Sequence, residues 1–258
     1  MKIVSVAIVL LAAAACGGAF GREYEYEEQL YLNADGSAAV VVNASVPALI
    51  ALRGLALDPD PRERIDRTRV REMVSEPGVE ITRVSRPWRR NGRQFIQIRA
   101  EVDNVETLGQ TKLFGWSAYA IETKSDPVTS ETTREYKQIV SAPSGTPPAN
   151  AGWDGSELVA FKLHLPSRVL FQNARLIDTN EPRTVERGNI VTWEQRLSDR
   201  LQGKPIDLQV TMNSGSILYT TLSLFALSFA AAMVVLVGAI WIVIRRGRRK
   251  SQAGDIRS

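Results

Sequence analysis

From Tyr24 onward the chain alternates with a period of two. Tyr24, Tyr26, Leu30 and Leu32 share one phase and Glu25, Glu27, Gln29 and Tyr31 the other, the pattern of a strand with one buried face. Asn33–Gly36 supplies a turn, and Ala38, Val40, Val42 and Ala44 continue as the paired strand. The alternation stops at Val46–Leu57, an apolar stretch that predicts a first helix. Asp60-Pro61-Arg62-Glu63 reads as the N-cap and first turn of a second helix, running to about Val74, whose narrow apolar face is Ile65, Val70, Met73 and Val74. Pro77-Gly78 stops it, which leaves an amphipathic helix lying on a sheet.

Val79–Val84 and Phe95–Val102 form a second hairpin around Arg90-Asn91-Gly92-Arg93, since both turn positions need a positive φ and Asn-Gly supplies it. Asp103 and Glu106 can cap one short helix through Leu108. Ser117–Thr123 and Thr132–Val140 alternate around Ser125-Asp126-Pro127 as a third hairpin. Residues 142–156 hold three Pro and three Gly and read as a loop or linker. Beyond them Val159, Phe161, Leu163 and Leu165 alternate, Thr184–Gln195 turns at Arg187-Gly188, and Ile206, Leu208, Val210 and Met212 alternate again. The β-rich part 157–212 can close a small sandwich-like subdomain of its own or complete the first sheet.

Two segments lie outside this pattern. Residues 1–16 carry Lys2 and then an apolar run to Ala15 that is too short to span a bilayer as a helix, the organisation of a secretory signal. Leu208–Ile244 contains no charge in 37 residues, and 217–244 is apolar enough to predict a transmembrane helix. Arg245, Arg246, Arg248, Arg249 and Lys250 follow at once, so the positive-inside rule expects residues 245–258 in the cytoplasm and the body outside the cell membrane.

Charge changes the picture only after it is located. The formal net charge is +4, but the last fourteen residues carry six cations against Asp255 and Lys2 adds another, which leaves −2 for everything between. The basic character belongs to a tail, and no nucleic-acid-binding surface is expected of the body. Cys16 and His164 are the single Cys and the single His, so one copy of the chain can assemble no Cys/His zinc site, redox pair or Cys–His dyad. Neither GxGxxG, GxxxxGK[ST], an EF-hand nor GxSxG is present, and no cofactor or metal is expected. His164 shares a strand phase with Lys162 and reads as a solvated or edge histidine. A carboxylate-only hydrolase would need Asp154, Glu157 and the Glu25/Glu27 row to converge in space.

The only Cys closes the apolar run in Ala13-Ala14-Ala15-Cys16 ahead of Gly17-Gly18-Ala19, a permissive lipobox with Ala13 where Leu is usual, which makes Cys16 a candidate for acylation. The Asp35-Gly36-Ser37 turn, the paired helix, Phe114-Gly115-Trp116, Leu165-Pro166, Asn173 and the Asn189–Trp193 strand, ahead of one C-terminal span and a basic tail, resemble the LppM-type bacterial lipoproteins over nearly the whole chain. That resemblance implies a cell-envelope protein with an α+β domain that touches lipids, and it carries over no catalytic residue.

Within the body, Arg83, Arg86, Arg89, Arg90, Arg93 and Arg99 surround Trp88, the densest cationic stretch. A guanidinium grips phosphate or carboxylate with two donors and an indole favours a wet apolar boundary, so Arg86, Trp88, Arg89, Arg90 and Arg93 are candidate contacts for an anionic headgroup, on an exposed hairpin tip. The bland alternative is a solvated hairpin whose arginines pair with Glu80 and Glu101. The expected fold is α+β: antiparallel hairpins with two to three helices on one face over 20–141, a loop, a C-terminal β-rich subdomain and one transmembrane helix. The expected function is that of a non-enzymatic, membrane-anchored envelope protein with a lipid ligand or a membrane-protein partner. The alternatives are a sensor or assembly subunit acting through its helix, and the carboxylate hydrolase.

Overall fold

The computed structural model describes residues 22–125, 127, 131–215 and 217–254. The proposed signal and Cys16 lie outside the described residues, as does Asp126 of the turn expected at 125–127. Strands β1 (Tyr26–Leu32) and β2 (Ala38–Ser45) pair in the expected register, Leu30 opposite Val40. The second hairpin is built from β3 (Glu80–Val84), β4 (Trp88–Arg90) and β5 (Arg93–Val102); β3 and β4 both pair with β5. Asn91 and Gly92 take φ of 48° and 73°, as a tight Asn-Gly turn requires. β6 (Ser117–Ser125) and β7 (Thr132–Val140) form the third hairpin.

The first helix starts where expected but ends four residues early, at Gly54, whose φ of 64° stops it, and the other two differ in their starts. Helix α1 spans Val46–Arg53, capped by Ser45, whose Oγ accepts from Ala48 N. Helix α2 spans Arg67–Val74, and its cap is Asp66 rather than Asp60: Asp66 accepts from Thr68 N and Arg69 N. Asp60 closes only a local turn onto Arg62 N. Arg62, Glu63 and Arg64 are exposed, and only Ile65 of the stretch 61–65 packs against the core, so little burial supports a helix begun at Pro61. The short helix is a 3-10 helix, Val105–Gln110, capped by Asn104 and not by Asp103, while Glu106 turns its carboxylate to Ile121 N.

The C-terminal strands form no subdomain of their own. β8 (Leu158–His164) lies parallel to β1, with β10 (Ile190–Arg196) on its other side, whereas β9 (Val169–Gln172) and β11 (Ile206–Asn213) join the third hairpin. The two sheets run β10-β8-β1-β2-β5-β3 and β6-β7-β11-β9. The reason is visible in β8: Val159, Phe161 and Leu163 on one face are buried in the core between the sheets, and both edges of the strand are paired, by β1 and by β10. Tyr26, Leu30, Val40, Val42, Ile98 and Phe161 face Tyr119, Tyr136, Val210 and Met212 of the second sheet, and Leu49, Leu52, Val70 and Val74 of the helices join the same core. The opposite face of the first sheet is a polar ladder in which Lys162 pairs with Glu27, Asn43 donates to Glu27 and Gln97 donates to Asn43.

After β10, helix α3 (Leu197–Leu201) turns the chain into β11, and helix α4 runs from Ile217 to Gly254. Leu222–Trp241 is long and apolar enough to cross a membrane, and none of it is buried against the body. The helix continues unbroken through the basic cluster to Gly254, beyond the expected end at Ile244.

The chain enters and leaves the body at opposite ends. At the far end Glu25 N donates to Leu158 O, and the guanidinium of Arg90 donates to Tyr24 O. At the exit end Ser214 N donates to Thr132 O, Ser167 Oγ to Gly215 O, and Arg134 reaches across to Ala34 O in the β1–β2 turn. From Tyr24 to Leu32, at roughly 3.3 Å per residue, the ends are about 26 Å apart.

Candidate functional site

The cationic hairpin sits at the far end, and the structure divides its residues into two groups. Arg86 and Arg89 are exposed and meet no carboxylate among the described residues. Trp88 is 39% exposed and stacks at 5.8 Å on Phe95, its cross-strand partner. Arg90, two residues on and therefore on the same side of the strand, lays its guanidinium 4.3 Å from the Phe95 ring and pairs with Glu23 at 3.6 Å. Of the acids expected to neutralise the stretch, Glu101 meets Arg99 at 3.9 Å.

Arg93 is not a tip residue. It bonds Glu25 at 2.8 and 3.0 Å, reaches Glu157 at 3.6 Å and donates to Gly152 O, with only 11% of its side chain exposed. Trp153 Nε1 donates to Glu25 at 3.3 Å, while Asp154 N and Gly155 N hold Glu157 at 2.8 and 2.9 Å. The acids Glu25 and Glu157 therefore do converge, as the hydrolase alternative requires. Every one of their carboxylate oxygens is already engaged, and the cluster clamps the 142–156 loop to β1, β5 and β8. Acids whose oxygens are each held by a guanidinium, an indole N–H or a backbone N–H serve here as structural anchors. Asp154 caps Ser156, whose N–H and hydroxyl hold its carboxyl below the usual range.

At the C-terminal end of α1 lies an open cleft of about 730 Å3 lined by Arg53, Leu55, Met73, Lys112, Trp116 and Pro143. Its floor is cationic. Arg53 is 4% exposed, donates to Leu52 O and Lys112 O, and places its guanidinium 4.3 Å from the Trp116 ring. Arg200 of α3, fully buried, lies 5.6 Å from the same ring and donates to Val140 O. Among the described residues, Arg53 Nε, Trp116 Nε1 and the Nε and Nη2 of Arg200 have no hydrogen-bond partner. Burial lowers the pKa of both arginines.

One buried acid faces them. Glu28, 2% exposed, accepts from Tyr26 at 2.9 Å, Tyr119 at 3.1 Å and Gln138 at 3.1 Å between the two sheets. Burial raises its pKa against the opposing pull of Tyr26, Arg53, Gln138 and Tyr119. Sequence reading missed this layer, although the signal existed: Glu28 shares the phase of Tyr26 and Leu30, and Arg53 ends a helix that is otherwise apolar.

His164 is neither solvated nor on an edge: it ends β8, which is paired on both sides by β10 and β1, its partly buried ring stacks on Tyr31 at 3.9 Å, and burial followed by Lys162 lowers its pKa. Among the described residues no group of His, Cys, Asp and Glu is arranged to hold a metal ion. No protein-family model and no curated protein matches the chain. Among solved structures, the NMR structure of the folded domain of Mycobacterium tuberculosis LppM is similar over 76% of this chain and 94% of that one, at 11% identity and a TM-score of 0.36.

Proposed function

We propose that the chain is a non-enzymatic, membrane-anchored envelope protein whose body lies outside the cell membrane and whose far end binds an anionic ligand. The observation that carries the reading is the free pair Arg86 and Arg89 flanking the half-exposed Trp88, at the end opposite the chain exit, in a body whose net charge is negative. With the exit end toward its own bilayer, the tip meets headgroups or other phosphate- or carboxylate-bearing groups presented from elsewhere in the envelope. Cys16, if acylated, adds a second anchor to α4, although a single acyl chain binds a bilayer far more weakly than a spanning helix does.

The body 22–213 tests the ligand. Its core contains no residue of α4, so it can be studied without the helix. It should bind anionic liposomes at low salt and release them as salt rises. Each basic residue near such a surface contributes about 1 kcal/mol, so the Arg86→Glu, Arg89→Glu double variant should bind at least about tenfold more weakly. Equal binding by the two proteins would remove the hairpin from the function.

A further inference from the structure

We propose that the edge strand β9, through Arg168, Leu170 and Phe171, rests on the surface of the bilayer that α4 enters, so that the body is docked on the membrane as well as tethered to it. The proposal depends on α4 spanning that bilayer. Among the described residues of the body, the large hydrophobic side chains exposed by 39% or more are Tyr31, Trp88, Ile139, Leu170, Phe171 and Val185. Trp88 belongs to the far end, as does Ile139, next to the last residue of β7. The other four gather at the exit end: Tyr31 lies opposite His164, Phe171 opposite Thr211, and Val185 precedes Glu186, which bridges to Ile190 opposite His164.

β9 is also bonded to β11 and to the segment through which β11 leads into the membrane-type helix. Val169 pairs with Met212, Asn213 N donates to Arg168 O at 3.0 Å, and Ser167 Oγ donates to Gly215 O at 2.8 Å. The apolar span of α4 begins at Leu222, so Ile217–Thr221, about 7.5 Å of helix, occupy headgroup depth, and β11 ends only four residues before Ile217. Leu170 and Phe171, each 51% exposed, are placed to enter the acyl boundary, while Arg168 and Arg187, exposed and without a carboxylate partner among the described residues, are placed at phosphate level. Apolar side chains beside arginines are the composition of an interfacial surface. An uncovered edge with two adjacent large hydrophobics would otherwise invite strand pairing between copies, and a bilayer removes that exposure.

The test uses the full chain carrying Cys16→Ser, reconstituted in vesicles of phosphatidylglycerol and phosphatidylcholine, with a nitroxide at Phe171→Cys or, separately, at Leu170→Cys. Ile139→Cys, equally exposed but at the far end, is the aqueous reference, and Ala231→Cys in the middle of α4 is the membrane reference. The labels at 170 and 171 should collide several-fold less with a water-soluble nickel chelate, and more with oxygen, than the label at 139. Nickel access at 170 and 171 equal to that at 139, with 231 protected, would overturn the docking and leave the spanning helix intact. An aqueous label at 231 would overturn both. Slip of one variant toward misfolding leaves the neighbouring position to decide.

Discussion

Reversing Arg93 and reversing Arg86 or Arg89 should have opposite consequences, although the three lie within eight residues. Arg93→Glu breaks a mostly buried pair with Glu25 and sets three carboxylates together with Glu157, so it should cost about 3–5 kcal/mol in urea denaturation. Arg86→Glu and Arg89→Glu touch no partner and should stay within about 0.5 kcal/mol. The sequence reading placed all of these on an exposed tip, because the alternation of a strand gives a residue's face but not which loop crosses above it, and here the distant 142–156 loop buries Arg93. Glu28 offers a second test at this scale. Its folded-state pKa is raised, so the fold binds its proton more tightly than the unfolded chain does; its contribution is favourable below the ordinary carboxylate range and is lost as pH rises through the folded value. Glu28→Gln should therefore gain stability relative to the parent at pH 7, and the gain should shrink toward pH 4. A variant that loses more at pH 7 than at pH 4 would mean that Arg53 fully compensates the charged form.

At the scale of elements, Gly145 is the position that ties the long loop to α1. A Cβ there would lie 1.9 Å from Ile50 O, where α1 ends, and backbone cannot yield as a side chain can. Gly145→Ala should cost about 1–3 kcal/mol, read as a lower thermal midpoint, whereas a change no larger than that of Gly215→Ala, whose surroundings are open and whose φ is not positive, would contradict the close approach. Elements whose signals are local were legible in the sequence: the β1–β2 register follows from period two, and the Asn91-Gly92 turn from its φ requirement. Helix starts were less so. As a local signal Asp60, followed by Pro61 and Glu63, is the stronger, and yet the helix begins after Asp66, within reach of the core that Val70 and Val74 pack against. The placement of β8 between β1 and β10 was beyond local reading, because a parallel pairing is made across more than a hundred residues and no turn announces it.

For the whole molecule, the orientation of α4 is the decisive quantity. Protease added to intact spheroplasts should digest the body and spare a tag at the C-terminus, and the same membranes should yield palmitate label that disappears in Cys16→Ser while the protein stays bound. A protected body would refute the outward topology. Termini at opposite ends of the sandwich also give the body a mechanical character. A pull transmitted between Arg22 and α4 runs lengthwise along β1 and β11, so it loads the ladders of β1 with β2 and β8, and of β11 with β7 and β9, in shear. Hydrogen bonds loaded in shear must fail together rather than one after another, as they would if a hairpin were peeled open. If the N-terminal end and α4 are held apart, this arrangement lets the body bear tension along its strands.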